Sequence, residues 1–437
     1  MRVVVIGNGT AGQTAAAVAR KERREAEVIV LERHSYPAYH PCALPYVLGG
    51  RVRLEDAVDR TRRPGVEVLT RAEVKSIDRE KREVEYVRDG EEERLSYDSL
   101  IVATGLRPIL PPIEGLGLEG VRKLWDLEDA EYLLRVMGER VAVIGGSATG
   151  IEVAASLAES GRDVWLIEMM EQLMPGKVDP PIASEAAKAL VEMGVKVMLK
   201  SPAERVEGRE KAEAVVAGGE RIEVDTVVIS AGVKPNSDLA RRAGLKVGET
   251  GGIVVDDRMR TSDPSIYAAG DVAQVRDFVT GRPVVVGLAS TALVQGKVAG
   301  ENAVGGEARY PGALGPFVVH MGEYSLGGVG LTSSTAERLG IEHLSGRFSA
   351  LAKPRYVDPE SRIICWMVTD RSGRLLGAQF FGKEGVRERV AAATLAIYSG
   401  MGVEDLRKME FPYNPMICDV AEPFSVLAES LRRRYRL

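Results

Sequence analysis

The sequence predicts an α/β protein with two Rossmann-like dinucleotide-binding folds and a C-terminal α+β unit. Three observations predict it. The chain opens on an apolar run, Val3–Ile6, then Gly7-Asn8-Gly9-Thr10-Ala11-Gly12, then a helical stretch. The same arrangement recurs at Arg140-Val-Ala-Val-Ile-Gly-Gly-Ser-Ala-Thr-Gly150. From about residue 316 the glycine signature disappears, and short apolar strands precede helical runs.

The first unit contains strand, glycines, helix, strand and acid in that order. Val3–Ile6 is unbroken, as a strand buried on both faces requires. Gly7 allows a tight turn, Gly9 lets backbone approach a pyrophosphate, and Gly12 lets helix pack on strand, with Ala11 between them. The helix Gln13–Lys21 would aim its N-terminus at phosphates. The next strand, Val28–Leu31, ends in Glu32 and Arg33, where Glu32 would hold a ribose hydroxyl. In the second copy, Gly145, Gly146 and Gly150 precede the helix Ile151–Glu159, and Val164–Ile167 ends in Glu168. Ser147 replaces the second glycine, leaving less room for a pyrophosphate. Two such folds imply two dinucleotides. Glu168 would repel a 2′-phosphate, and Met169 and Met170 stand where a phosphate-binding Arg could sit. This favours NADH, with NADPH as the alternative.

Between the copies, Val66–Leu69, Val74–Ile77, Glu83–Tyr86 and Leu100–Val102 read as a β-meander. Ala103-Thr104-Gly105 follows, then a proline-rich crossover, Pro108–Pro112. Val227–Asn236, containing Gly232, repeats that strand–small–Gly–Pro shape. Thr261–Asp271 and a helix near Ser290–Asn302 come next. The expected segments are 1–108 and 236–315 for one dinucleotide fold, 109–235 for the other, and 316–437 for the α+β unit. In the last, Ser325–Val329, Arg362–Val368 and Leu375–Phe381 read as strands, with helices near Val386–Ser399 and Phe424–Arg434.

Composition excludes several classes. The 437 residues are 45% hydrophobic and 28% charged, a soluble globular balance, and the net charge of −5 offers no basic face for nucleic acid. No apolar run reaches the roughly 18 residues of a membrane span. The immediate N-terminal strand argues against a signal peptide. Three cysteines cannot form a disulfide framework, which points to a reducing, cytoplasmic setting. The four histidines (34, 40, 320, 343) lack metal-ligand spacing, so no metal is expected.

Over essentially its whole length the chain resembles the FAD-dependent pyridine nucleotide-disulfide oxidoreductases. The matching pieces are the first glycine motif, Ala103-Thr104-Gly105, the second motif with Glu152, and Ile266-Tyr-Ala-Ala-Gly-Asp271. The resemblance implies that the first motif, Gly270 and Asp271 bind FAD and that the second motif binds NAD(P)H. It also implies a homodimer made by the C-terminal unit, with its final segment over the partner's active site.

One stretch narrows the resemblance. Pro41-Cys42-Ala43-Leu44-Pro45-Tyr46 is similar to the P-C-G-I-P-Y of coenzyme A-disulfide reductases and related NADH oxidases, departing at Ala43. Val47 stands where glutathione-reductase-type members carry a second cysteine, and Phe411–Pro423 lacks their histidine. The peroxidases of this branch place a histidine in the first loop, where this chain has Thr10. With one cysteine, the oxidised form must be a mixed disulfide or a sulfenic acid. Cys42 is therefore the expected redox centre, in contact with flavin.

His40, two residues away, could stabilise the thiolate or be a surface histidine. Tyr413 matches, with a shift, the tyrosine that the reductases use as proton donor or substrate contact; a packing role is the alternative. Cys418 is either a core cysteine or a thiol that resolves Cys42 across the dimer, and Cys365 reads as core. Arg20, Lys21, Arg60, Arg62 and Arg63 are candidates for coenzyme A phosphates. Expected first is an NADH-dependent reductase of a disulfide or persulfide, with coenzyme A adducts leading. An NADH oxidase cycling Cys42 through sulfenic acid is the alternative, and a reductase of a small redox protein is a third. The chain ends soon after the dimer unit, so no rhodanese-like domain is expected.

Overall fold

The computed structural model describes residues 1–434. They form two compact units, and the chain passes between them repeatedly. The first holds Met1–Pro41, Arg53–Ile109 and Val233–Gly315. The second holds Cys42–Val52, Leu110–Gly232 and the residues from Pro316 on.

The first unit is built on a five-stranded parallel sheet. Its order is Ile266–Ala268, Ser99–Val102, Arg2–Ile6, Glu27–Leu31, Val66–Leu69. Val3, Val4 and Val5 are fully buried, which is why that strand is apolar at every position. The helix Thr10–Glu22 packs beside Ala289–Ala303. Gly296 and Gly300 permit this approach, since a Cβ on either would run into the carbonyls of Ala11 or Ala15.

The expected meander is corrected here. Val66–Leu69 and Ser99–Val102 belong to the parallel sheet, and the antiparallel sheet consists of Ala72–Asp78, Glu83–Arg88 and Glu91–Ser96. The last strand, EEERLS, is too polar to read as one by periodicity; backbone pairing and the turn at Asp89-Gly90, both with positive φ, create it. The two similar crossovers pair with each other, Leu106–Pro108 antiparallel to Val233–Pro235. The Asn236 amide secures them by donating to the carbonyls of Thr104 and Leu106.

The second unit has its own parallel sheet, in the order Val121–Lys123, Thr226–Ile229, Arg140–Ile144, Asp163–Ile167, Lys196–Met198. It also contains a five-stranded antiparallel sheet formed from residues 317–382, on which the helices Val386–Tyr398 and Pro423–Arg432 pack. Buried Asp179 joins these parts. Its carboxylate accepts from the N–H groups of Ser333 (2.9 Å) and Ser334 (3.0 Å) and from Gln379 Nε2 (2.8 Å). Residues 42–52, assigned from sequence to the 1–108 segment, pack instead within this second unit. The reason is a helix contact: the short helix Leu44–Leu48 lies against Ala148–Glu159.

Candidate active site

The two glycine loops are built alike. Gly7 (φ +96°) and Gly145 (φ +112°) adopt backbone that disfavours a side chain, and a Cβ there would strike the Ala103 or Ser230 carbonyl. A Cβ on Gly12 or Gly150 would strike the carbonyl of Gly7 or Gly145. Gly9 is different: a Cβ there meets nothing within 4 Å. No protein contact requires glycine at that position, which fits space reserved for a pyrophosphate. In the second copy Ser147 caps its helix instead, its Oγ accepting from Gly150 N–H at 3.2 Å and lying 2.8 Å from Ser230 Oγ.

The acid ending each second strand holds its loop. Glu32 accepts from the N–H groups of Asn8 and His34, both at 2.9 Å, and lies 2.7 Å from His34 Nδ1. Burial alone would raise its pKa, but the bonds from His34 and Asn8 outweigh this and hold Glu32 below the usual carboxylate range. Glu168 accepts in the same way from Gly146 N–H (2.6 Å) and Met170 N–H (2.8 Å). Glu32 Oε2 and both Glu168 oxygens, with one such donor each, keep a lone pair for a ribose hydroxyl, whereas Glu32 Oε1 is taken up by the N–H and ring of His34. Arg33, Met169 and Met170 are exposed.

The Gly270–Asp271 corner faces the first helix. A Cβ on Gly270 would come within 2.8 Å of the Ala11 Cβ, and Gln295 Oε1 accepts from Gly270 N–H at 2.8 Å. Asp271 Oδ1 is buried with no hydrogen-bond partner among the described residues. Burial, only partly offset by the Leu288 N–H, pushes its carboxyl up to about 6. Such an atom needs a donor, and a sugar hydroxyl of FAD would satisfy it. Ala103 abuts Gly7, Thr104 Oγ1 donates to the Asn236 carbonyl at 2.9 Å, and Gly105 has φ +64°.

The thiol stands in the second unit. Cys42 is exposed in a 3-10 turn, Pro41–Ala43, that leads into the helix Leu44–Leu48. That helix is held close because Gly49 has no Cβ; one would come within 2.8 Å of Ser156. Tyr46 OH lies 3.4 Å from Glu152 Oε1, which also accepts from His320 N–H at 3.5 Å. Burial pushes the Glu152 carboxyl up to about 7, despite those two hydrogen bonds. Arg51 bridges Glu159 (2.8 Å) and His320 Nε2 (3.4 Å). The helix bearing Glu152 and Glu159 starts at the second glycine loop, so loop and thiol helix share one element.

The other candidates are more scattered. His40 is exposed, its N–H donating to the Ala57 carbonyl at 2.8 Å. Gly232 is exposed with φ +111°. Tyr413 OH lies 3.5 Å from Tyr356 OH, and both tyrosines are exposed. Cys418 is half-exposed, Sγ donating to the Pro412 carbonyl at 3.3 Å; the core reading fails because the segment from Pro412 to Ala421 lies at the surface. Cys365 is fully buried, and burial pushes its thiol far up. Sequence reasoning missed Asn8, His34, Gln295, His320 and Tyr356. Asn8, inside the first glycine motif, and His34, two residues beyond Glu32, had local signals; Gln295, His320 and Tyr356 are brought in across long stretches of chain.

Residues 1–296 match the family model described as pyridine nucleotide-disulphide oxidoreductase, and residues 317–421 match the dimerisation domain of that family. The chain belongs to this family. An NADH oxidase of Methanocaldococcus jannaschii is 38% identical, over 99% of both chains. A coenzyme A-dependent NAD(P)H sulfur oxidoreductase of Pyrococcus furiosus is 33% identical, again over 99% of both. Among solved structures, an NAD-dependent persulfide reductase from A. fulgidus superposes with a TM-score of 0.95 at 33% identity, covering 99% of this chain and 83% of that one. The chain is thus an oxidoreductase using FAD and NAD(P)H, as the family does. The matched dimerisation domain supports a homodimer. Among the described residues, no helix is long and apolar enough to cross a membrane.

Proposed function

We propose that this oxidoreductase reduces a small disulfide or persulfide at Cys42, with coenzyme A adducts as the leading substrates. The observation that carries the reading is the single exposed cysteine at the head of a helix clamped onto the helix of the second glycine loop. Buried Val47 occupies the place of a second active-site cysteine, which supports a substrate that supplies the other sulfur. The Cys42 thiolate displaces one thiolate from the disulfide and leaves a mixed disulfide. Two electrons and a proton then release the second thiol and restore Cys42. Bound FAD supplies the relay of those electrons from NADH.

The first loop, Glu32 and Asp271 would hold FAD, and the second loop with Glu168 would hold NADH. Exposed Met169 and Met170 offer a 2′-phosphate no cation, which supports NADH over NADPH. Arg20, near Gly65, and Arg63, bonded to Gln13, lie on one stretch of the first unit and are proposed contacts for coenzyme A phosphates. Tyr356 and Tyr413 are proposed to face the partner's site across the dimer. A cytoplasmic setting fits three cysteines outside any disulfide.

The test is NADH consumption without oxygen, with coenzyme A disulfide or coenzyme A persulfide as sole acceptor, for wild type and Cys42→Ser. Turnover is expected in the wild type and should fall at least about 1,000-fold in the variant. A second reading, an NADH oxidase forming a sulfenic acid at Cys42, is favoured by the 38% identical relative of that name. Anaerobic inactivity with rapid NADH loss in air would select it. Anaerobic turnover that survives Cys42→Ser would instead indicate an electron-transfer reductase.

A further inference from the structure

The nucleophile reading leaves one cluster of the second unit unused. Tyr46 follows Cys42 by four residues, through the 3-10 turn and into the helix. Its hydroxyl reaches Glu152 Oε1 at 3.4 Å, and the same oxygen receives the His320 N–H. We infer that Glu152 is a positioning residue for the reactive sulfur: acting through the Tyr46 hydroxyl, its carboxyl sets how readily Cys42 exists as a thiolate. The inference rests on Cys42 being the nucleophile, as proposed above.

Tyr46 stands four residues beyond Cys42, the spacing of one helical turn, and its hydroxyl is inferred to reach the sulfur, which gives two arrangements. An ionised Glu152 can only accept, so it takes the Tyr46 O–H and turns that donor away from the sulfur. A protonated Glu152 donates to the Tyr46 oxygen and frees the phenolic proton for a sulfur anion. Burial, and then the charges of Glu152 and Cys42, push the Tyr46 hydroxyl up, so it stays protonated in both arrangements. Burial places the switch in Glu152 near neutrality. The charged neighbours are known. Cys42 and Tyr46 come from the thiol turn and helix, Arg51 from the loop beyond, Glu159 from the helix of Glu152, and His320 from the strand Phe317–Met321. Arg51 can only donate, so His320 Nε2 accepts, and Arg51 is already committed to Glu159 and His320 rather than to Glu152. The switch therefore sits on the helix that begins at the second glycine loop.

The test follows alkylation of the reduced, FAD-loaded enzyme by iodoacetamide as a function of pH, quantified on the Cys42 peptide by mass spectrometry. Half-exposed Cys418 provides an internal reference. In Glu152→Gln, which can donate but not ionise, the Cys42 midpoint should fall by about half a pH unit or more. Tyr46→Phe should raise the midpoint, and adding Glu152→Gln to it should change nothing further. Unshifted midpoints, a Glu152→Gln shift that persists without the Tyr46 hydroxyl, or a parallel shift at Cys418 would each overturn the inference. Should Glu152→Gln fail to fold, Glu152→Ala takes its place, a lowered midpoint that disappears when Tyr46→Phe is added supporting the inference and an unchanged one refuting it. A Cys42 that alkylates at no pH would overturn the nucleophile reading as well, so the two failures are distinguishable.

Discussion

Gly9 and Gly12 are three residues apart, yet they are glycine for different reasons. Gly12 is required by the protein itself, because a Cβ would enter the Gly7 carbonyl. Gly9 has extended backbone and open space around it. Gly9→Ala is therefore expected to fold with stability within about 1 kcal/mol of wild type while losing FAD; Gly12→Ala should lose both. Thermal melts of the FAD-free proteins, beside FAD content on purification, separate these outcomes. Glu152 gives a second prediction at this scale. Its pKa is raised to about 7 in the folded protein, so the native state binds the proton more tightly than the unfolded chain. Its stabilising contribution is complete below the ordinary glutamate pKa and is lost as pH rises through about 7. Wild type should thus lose urea stability relative to Glu152→Gln between pH 4.5 and 7.5; a difference independent of pH would contradict this sign.

At the scale of elements, the contact that matters is between the thiol helix and the helix of the second glycine loop. The sequence shows a Pro-rich turn with a cysteine but not what it packs on. Gly49 and Ser156 set that distance. Gly49→Val should push the two helices apart, costing about 1–3 kcal/mol. NADH turnover by Cys42 should fall more than NADH binding does. Fluorescence titration of NADH beside anaerobic turnover would expose the split, and equal losses in both would count against it. The same scale explains the Glu91–Ser96 strand. Hydrophobic alternation finds strands with one dry face, and this one has none.

For the whole molecule, the exposed apolar residues of the final segment deserve a partner. Met416, Ile417 and Val420 are 67%, 70% and 72% exposed. Isolated apolar residues at the surface are ordinary, but three within five positions make this segment a candidate interface. With a matched dimerisation domain, the expected species is a dimer. Ile417→Asp with Val420→Asp should shift sedimentation toward the monomer and lower anaerobic turnover, if the segment covers the partner's site. A variant that remains dimeric would place the interface elsewhere on the C-terminal unit.

Both glycine loops, their strands and the acids that end them could be read from sequence, because each rests on local backbone geometry: a positive φ, a close approach, a capped helix. Cys42 was legible as a candidate for the same reason, being a residue type in a turn. What required the tertiary structure were pairings distant in sequence. Glu152 meets Tyr46 across 106 positions and the His320 N–H across 168. Asp179 reaches Gln379 across 200. Side chains such as these carry no periodicity and no spacing rule, since their neighbours are chosen by how helices and sheets stack. Local backbone rules fix which nucleotide-binding elements form and set Cys42 in a turn; packing decided that Cys418 lies near the surface and which carboxyl is buried beside the helix that follows Cys42.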